Sequence, residues 1–143
     1  MKNFSRIALF LIAVLFFTAC GPKPSALQFD NPYAPQAGDS SMMRGDVNID
    51  SSSLNLTQSV PPQVTLNFAY FQPTPCFQLR VEVSGPDAKN RIDVTAYAVA
   101  EKDKPCTLMA LSTPLQASLN LGSFPSGHYS LWLNGVKVDE FDS

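Results

Sequence analysis

The chain has 143 residues, of which 45% are hydrophobic and 15% charged, a composition that excludes a disordered chain and leaves room for one ordinary domain. The net charge is −2, and it becomes −4 when the first 19 residues, which hold Lys2 and Arg6, are removed. Because an acidic surface repels phosphate backbones, we expect no nucleic-acid partner.

Residues 1–19 follow the order of an export signal. Two basic residues come first, an unbroken apolar run covers 7–17, and two small residues precede Cys20. The alternative, a membrane-spanning helix, needs about 20 apolar residues, and Gly21 and Pro22 would end a helix at once. We therefore predict a signal peptide over 1–19 that is removed during export.

The segment Phe17-Thr18-Ala19-Cys20 resembles the lipobox of bacterial lipoproteins, although Phe17 stands where Leu is usual. The resemblance implies that the Cys20 thiol receives diacylglycerol, that cleavage makes Cys20 the new N-terminus, and that labelled palmitate enters the protein. Gly21, in place of Asp, resembles the pattern sent to the outer membrane in bacteria with two membranes. We therefore expect a lipid-anchored envelope protein outside the cytoplasm. The alternative is an ordinary secreted protein in which this Cys occurs by chance.

Pro and Gly are frequent over residues 20–46, with Ser and Asn between them. Neither the helical nor the strand period persists in this stretch. We therefore predict a flexible tether that begins with the lipidated Cys20 and holds the domain away from the membrane. The domain itself is predicted over 47–143.

From residue 47 onward, apolar and polar residues alternate with the period of two that is typical of half-buried strands. Prolines stand between these runs and spare their interiors, as the hydrogen bonding of strands requires. The clearest alternating runs are 63–71, 76–84, 91–100, 115–121, 129–133 and 136–138. About seven short strands in a domain of this length predict an all-β fold, an antiparallel sandwich of two sheets.

The end of the chain predicts a hairpin, because Asn134-Gly135 favours positive φ at both positions. The run over 124–135 resembles the closing hairpin of immunoglobulin-like and fibronectin-like domains. That resemblance implies an immunoglobulin-like sandwich in which the Tyr129 hydroxyl bonds back to the backbone. The stretch from Val47 to this hairpin also resembles small envelope lipoproteins of uncharacterised role, and this second resemblance implies no activity.

Two cysteines are left once Cys20 carries the lipid. Cys76 and Cys106 form an even pair in an oxidising compartment, so we predict a disulfide between them. A bridge that closes a loop of about 30 residues stabilises a fold by about 3.6 kcal/mol in the chain-entropy model. The alternative is a pair of buried thiols.

The sequence offers no residue set for catalysis, a metal or a cofactor. His128 is the single histidine, and we expect it at the exposed rim of a strand rather than in a catalytic triad. Zinc needs several Cys or His ligands. The acidic cluster of Asp139, Glu140 and Asp142 lacks the loop spacing of a calcium site, and we interpret it as a charged edge strand. We therefore expect a protein that is not an enzyme and holds neither metal nor cofactor.

Trp132 alternates with Tyr129, Leu131 and Leu133, so it faces outward if those three residues face the core. An exposed aromatic surface on a sandwich, formed by Trp132 with Tyr97 from a neighbouring strand, suits the binding of sugars or proteins. The alternative is that the tether or a long loop covers Trp132.

We therefore expect a non-enzymatic binding or structural module of the cell envelope, held at a membrane by its lipid and bound to another protein or to a surface component. A cell-surface protease inhibitor that presents the loop over 72–76 is a second hypothesis. A carbohydrate-binding module that uses Trp132 is a third.

Overall fold

A computed structural model describes residues 30–106 and 112–143. The predicted signal peptide and Cys20 lie outside the described residues, so their roles stay predictions. In the part of the chain that the structure describes, no helix is both long and apolar enough to cross a membrane.

Eight strands and one 3₁₀ turn, Asp39–Ser41, form the regular structure of the described residues. The strands are β1 (Met43–Asp46), β2 (Asn48–Leu56), β3 (Val64–Phe71), β4 (Gln78–Ser84), β5 (Arg91–Ala100), β6 (Leu115–Gly122), β7 (His128–Leu133) and β8 (Val136–Asp142). The six alternating runs of the sequence become β3 to β8. β1, inside the predicted tether, and β2 are additional strands.

The strands pair into two sheets, so the predicted all-β sandwich is confirmed. β2, β3 and β6 form an antiparallel three-stranded sheet in that order. In the five-stranded sheet, β4 lies along one edge of β5, while β7 and β1 share its other edge and β8 lies beyond β7. One pair differs from the antiparallel prediction, since β5 and β7 run parallel. β5 thus separates β4 from β7, whereas the corresponding strands are neighbours in immunoglobulin domains.

The core lies between the two sheets and is built from the inward-facing alternate residues. Leu66 and Phe68 of β3 are 0% and 2% exposed, and Leu119 of β6 and Leu131 of β7 are 0% exposed. Burying each such side chain stabilises the fold by about 1.5–3 kcal/mol relative to leaving it in water. The period of two therefore determines which face each strand buries.

The structure corrects the predicted flexible tether. Asp30 forms an antiparallel bridge with Asn120 of β6, the Val81 amide of β4 donates to the Tyr33 carbonyl at 2.8 Å, and β1 pairs with β5. Residues 30–46 are therefore part of the packed domain, and we call them the N-terminal strap.

The strap has no sequence period because it does not run within one sheet. It passes the free edge of β6, then the free edge of β4, and enters the five-stranded sheet only at β1. Its contacts are largely backbone bonds to strand edges, which need partners whatever the side chains are. The predicted boundary at Val47 therefore placed the start of the domain too late, while residues 20–29 of the predicted tether lie outside the described residues.

The predicted corner and hairpin are confirmed near the end of the chain. The Tyr129 hydroxyl donates to the Pro125 carbonyl at 2.9 Å. φ is 49° at Asn134 and 81° at Gly135, as a type I′ turn requires. The Tyr129 ring stacks on Phe141 with 5.3 Å between the ring centres, so the corner closes one end of the core.

The sandwich has two ends. Asp30 joins the domain near the first, which we call the entry end, and the loops there are 57–63, 85–90 and 123–127. The other end, which we call the disulfide end, carries the bond between Cys76 and Cys106, whose Cα atoms are 5.9 Å apart. The predicted disulfide is therefore confirmed.

Candidate binding surface

The outer face of the five-stranded sheet carries two stacks of an arginine on an aromatic ring. The guanidinium carbon of Arg44 lies 3.5 Å from the centre of the Tyr97 ring, and that of Arg91 lies 4.1 Å from the centre of the Trp132 ring. Alternate residues of a strand face the same side, so β5 presents both Arg91 and Tyr97 on this face. We call the pair Arg44–Tyr97 the sealed stack and the pair Arg91–Trp132 the open stack.

The sealed stack is covered by the strap. Tyr97 is 6% exposed, and its hydroxyl donates to Glu82 at 2.8 Å. Burial, followed by the hydrogen bond to Glu82, raises the pKa of the Tyr97 hydroxyl. Because Arg44 of β1 lies over the ring, this half of the face fixes the strap in place and offers little surface to a ligand.

An ion pair between β4 and the strap extends this cover. Arg80 is 4% exposed, although the alternation of β4 predicts that it faces solvent. Its Nε and Nη2 donate to the Asp39 carboxylate at 2.8 and 3.2 Å, and this hydrogen bonding holds the pKa of Asp39 below its usual value. Since a buried guanidinium is costly without a partner, Asp39 keeps the strap over β4.

The open stack is accessible to solvent. Arg91 donates from Nε and Nη2 to the Asp93 carboxylate at 2.8 and 2.6 Å, and these two side chains are 37% and 41% exposed. Trp132 is half-buried, and its Nε1 donates to the Ser130 hydroxyl at 3.3 Å. The bidentate pair fixes the plane of the guanidinium over the indole, so the open stack is preformed but accessible.

Asn134 closes the gap between the two halves of the β5 edge. β7 pairs with β5 as far as Val94, and β1 pairs with it from Tyr97 onward. Between them, the Asn134 side chain accepts from the Ala96 amide at 2.7 Å and donates to the Ala96 carbonyl at 3.0 Å. β7, Asn134 and β1 therefore follow one another along the same edge of β5, and both stacks lie over these strands.

The structure separates the two aromatic residues proposed from the sequence. Trp132 and Tyr97 share the outer face, but Trp132 lies opposite Asp93, and four residues of β5 span about 13 Å. The two rings therefore lie on the same outer face but are not adjacent. The strap covers Tyr97, while Arg91 partly covers Trp132.

Sequence reasoning missed both arginines. Arg44 fell within the predicted tether, and its partner ring is reached only through β1. Arg91 and Asp93 are two residues apart on β5 and so share a face, which is a signal that could have indicated an ordered ion pair beside Trp132.

His128 lies at the rim of the entry end, as predicted, with its side chain 62% exposed. Its Nδ1 is 2.7 Å from Asp142 Oδ1, and its Nε2 is 3.6 Å from Glu140 Oε2. The hydrogen bond to Asp142 is the main cause of a raised His128 pKa. Both ring nitrogens face carboxylates, so neither is directed at a nucleophile. The two carboxylates lie on β8, which is an edge strand, as the acidic pattern predicted.

No family model, curated protein or solved structure matches this chain. Among the residues that the structure describes, no group of His, Cys, Asp and Glu side chains is arranged to hold a metal ion. The function is therefore inferred from the open stack and from the predicted lipid anchor.

Proposed function

We propose that this protein is a lipid-anchored, non-enzymatic module of the cell envelope that binds a partner protein through the open stack. The observation that carries the proposal is the exposed Arg91 guanidinium held over Trp132 by Asp93. Trp and Arg are among the residues that dominate binding energy at protein interfaces. Because the geometry exists before binding, little side-chain freedom remains to be lost on association.

A protein partner fits this surface better than a glycan. A sugar that stacks on the Trp132 face covered by Arg91 would have to displace the guanidinium and break its two bonds to Asp93. A protein can instead cover the whole stack, contacting the indole edge and bonding to the exposed Asp93 carboxylate. Glycan binding stays a prediction, which quenching of Trp132 fluorescence by glycans would support.

The loop over 72–76, the candidate for protease inhibition, is braced against the disulfide end. The Thr74 hydroxyl lies 3.1 Å from Cys106 Sγ, and the Thr74 carbonyl accepts from the Phe77 amide at 3.2 Å. This bracing favours no particular protease, so inhibition stays a prediction that a protease panel would test.

The anchor in this proposal rests on the lipobox resemblance at Cys20. The Cys76–Cys106 bond supports it, because disulfides persist in oxidising compartments outside the cytoplasm. Labelled palmitate is expected to enter the wild-type protein and not the Cys20→Ala variant, which should also leave the membrane fraction. Equal membrane fractionation of the two proteins would contradict the anchor.

The binding surface is tested by in-cell crosslinking of the full-length protein, followed by identification of its partners. Trp132→Ala and Arg91→Ala are expected to lose the crosslinked partner at unchanged protein levels. Tyr97→Phe is the matched control, since it alters the sealed stack on the same sheet and should keep the partner. A partner captured equally by all three variants would overturn the role of the open stack.

A further inference from the structure

The loop that joins β2 and β3 presents an apolar side chain to solvent at the entry end. Val60 is 99% exposed, and Leu56 at the end of β2 is 45% exposed. The loop over 57–63 reads Thr-Gln-Ser-Val-Pro-Pro-Gln and contains no charged residue. It is therefore an uncharged loop with an exposed valine, on a protein whose net charge is negative.

The loop is braced by its own hydrogen bonds. The Thr57 amide donates to the Gln63 carbonyl at 3.0 Å, and the Gln63 amide donates to the Thr57 hydroxyl at 2.8 Å. The Ser59 hydroxyl lies 2.6 Å from that of Thr57 and donates to the Pro61 carbonyl at 3.0 Å. This network holds the loop in shape, so Val60 stays exposed instead of folding back onto the sandwich.

The loop lies on the side of the domain at which the chain enters. Asp30 bridges Asn120 of β6, and Asn120 pairs with Thr65, the second residue of β3. Two steps between neighbouring strands amount to about 10 Å. The chain therefore enters the domain about 10 Å from the base of the loop over 57–63.

The chain that would connect the lipid to the domain is short. Ten residues, the number from Cys20 to Phe29, span at most about 36 Å. The eight residues of β3 extend over about 26 Å. If Cys20 carries the lipid, the entry end is held at the bilayer surface within a distance similar to the length of the sandwich.

We propose that the loop over 57–63 is a second membrane contact, with Val60 inserted at the interface of the bilayer that holds the lipid anchor. This inference rests on the proposed anchorage at Cys20. Apolar side chains without nearby charge favour the boundary between headgroups and acyl chains. Because the chain enters beside this loop, the anchor raises the local concentration of Val60 at that boundary.

Charge at the entry end limits this contact to the loop. Glu140 pairs with Lys137 and His128, His128 also pairs with Asp142, and Lys89 lies in the same loop as Asp87. These groups therefore leave no excess of positive charge that would attract anionic headgroups. The contact depends on the uncharged loop.

The test uses the full-length acylated protein in vesicles of phosphatidylcholine and phosphatidylethanolamine that contain doxyl-labelled lipids. An environment-sensitive fluorophore is attached at Val60→Cys or at Val136→Cys. Val136 is the matched control, because it is also an exposed valine, at 69%. It begins β8 opposite Leu133, the last residue of β7, and the six residues of β7 place it about 20 Å from the entry end. The native cysteines are bonded or, under the proposal, acylated, so only the new thiol reacts.

The label at residue 60 is expected to emit at shorter wavelength and to be quenched by the doxyl lipids, while the label at residue 136 reports water. Water-like emission at both positions in protein that floats with the vesicles would overturn the second contact and leave the anchor intact. A protein that does not float with the vesicles would overturn the anchor itself. Protection of residue 60 in cells but not in vesicles would assign the loop to a protein partner and also overturn this inference.

Discussion

The two arginine–aromatic stacks are built from the same groups but differ in their exposure to water. In each, a guanidinium lies over a ring on the outer face of the five-stranded sheet, and a carboxylate completes the group, Glu82 in one and Asp93 in the other. The Tyr97 ring of the sealed stack is buried at 6% exposure, whereas the Trp132 ring of the open stack is only half-buried. Arg44 is itself exposed, so the two stacks differ in the burial of their rings. The difference comes from the strap, which crosses one half of the face and leaves the other half open.

This contrast separates stability from binding on one surface. Where the strap excludes water, the stack and the Arg80–Asp39 pair hold the N-terminal residues against the sheet. Where no strap is present, the same chemistry contributes less to folding, because exposed ion pairs and cation–π contacts are weak in water. The open stack is therefore available to bind a partner.

Truncating each ring tests the contrast most directly. Tyr97→Ala is expected to lower the free energy of unfolding by about 3–5 kcal/mol, because it removes a buried aromatic ring. Trp132→Ala is expected to cost about 1–2 kcal/mol, since that ring is only half-buried. Urea unfolding of the two variants measures the difference, and equal losses would break the distinction between sealed and open stacks.

Removing the disulfide tests whether the half of the sheet near the disulfide end unfolds separately from the other half. Replacing Cys76 and Cys106 together by Ser is expected to cost about 2–5 kcal/mol, because the unfolded chain regains the freedom that the bridge removes. Hydrogen exchange should rise in β1 and in the second half of β5, which lie near this end, more than in β7 and β8. Uniform acceleration over all strands would show that the two halves unfold as one unit.

The junction between the halves depends on one side chain. Asn134→Gly keeps a residue that tolerates positive φ but leaves the Ala96 amide and carbonyl without their side-chain partner. The expected loss is about 1–3 kcal/mol, the usual cost of unsatisfied buried groups. Asn134→Asp is the control, because it keeps an acceptor for the amide only and should fall between the wild type and Asn134→Gly. No loss in either variant would mean that water replaces the side chain.

The smallest expected effects are opposite changes with pH in the two halves. Asp39 has a pKa lowered below 3.8 by its bond to Arg80, so its contribution is full above pH 3.8 and is lost as the pH falls through the lowered value. His128 has a pKa raised above 6.5 by its bond to Asp142, so its contribution is full below pH 6.5 and is lost as the pH rises through the raised value.

Thermal unfolding measured across the pH range reports both the acid-side and the alkaline-side loss of stability. Asp39→Asn should remove the acid-side loss, and limited proteolysis should then cut the strap at neutral pH. His128→Gln should flatten the alkaline side and leave the strap resistant to protease. A strap that stays resistant in Asp39→Asn would show that its backbone bonds to β4 and β6 are sufficient.

Most of the sandwich was predictable because its signals are local. Alternation in β3 and β4 determines which side chains face the core, and Asn134-Gly135 determines the closing turn through positive φ. The Tyr129 corner and the bridge between Cys76 and Cys106 also agree with what the sequence predicted. The corner was implied by the resemblance to immunoglobulin-like domains, and the bridge by the number of cysteines.

Strand order and burial on the outer face were not predictable, because they depend on contacts between distant parts of the chain. Nothing in the alternation of β5 indicates that it pairs in parallel with β7, or that β1 takes the rest of its edge. From the alternation alone, Arg80 is expected to face solvent. Its burial depends on the contact with Asp39, which is 41 residues away in the sequence. The open stack likewise needs β5 and β7 to be neighbours.

The sequence by itself determined the all-β class, the strands β3 to β8 and their core-facing sides, the closing hairpin and the pairing of two cysteines, because periodicity, turn chemistry and cysteine count need no knowledge of the strand order. It also predicts the export signal and the lipid at Cys20, which lie outside the described residues. The tertiary structure decided that residues 30–46 are a strap and not a tether, and that the strap seals Tyr97 and leaves Trp132 open. The physical reason is that backbone groups at strand edges, and a buried guanidinium, can form hydrogen bonds with partners from any part of the chain.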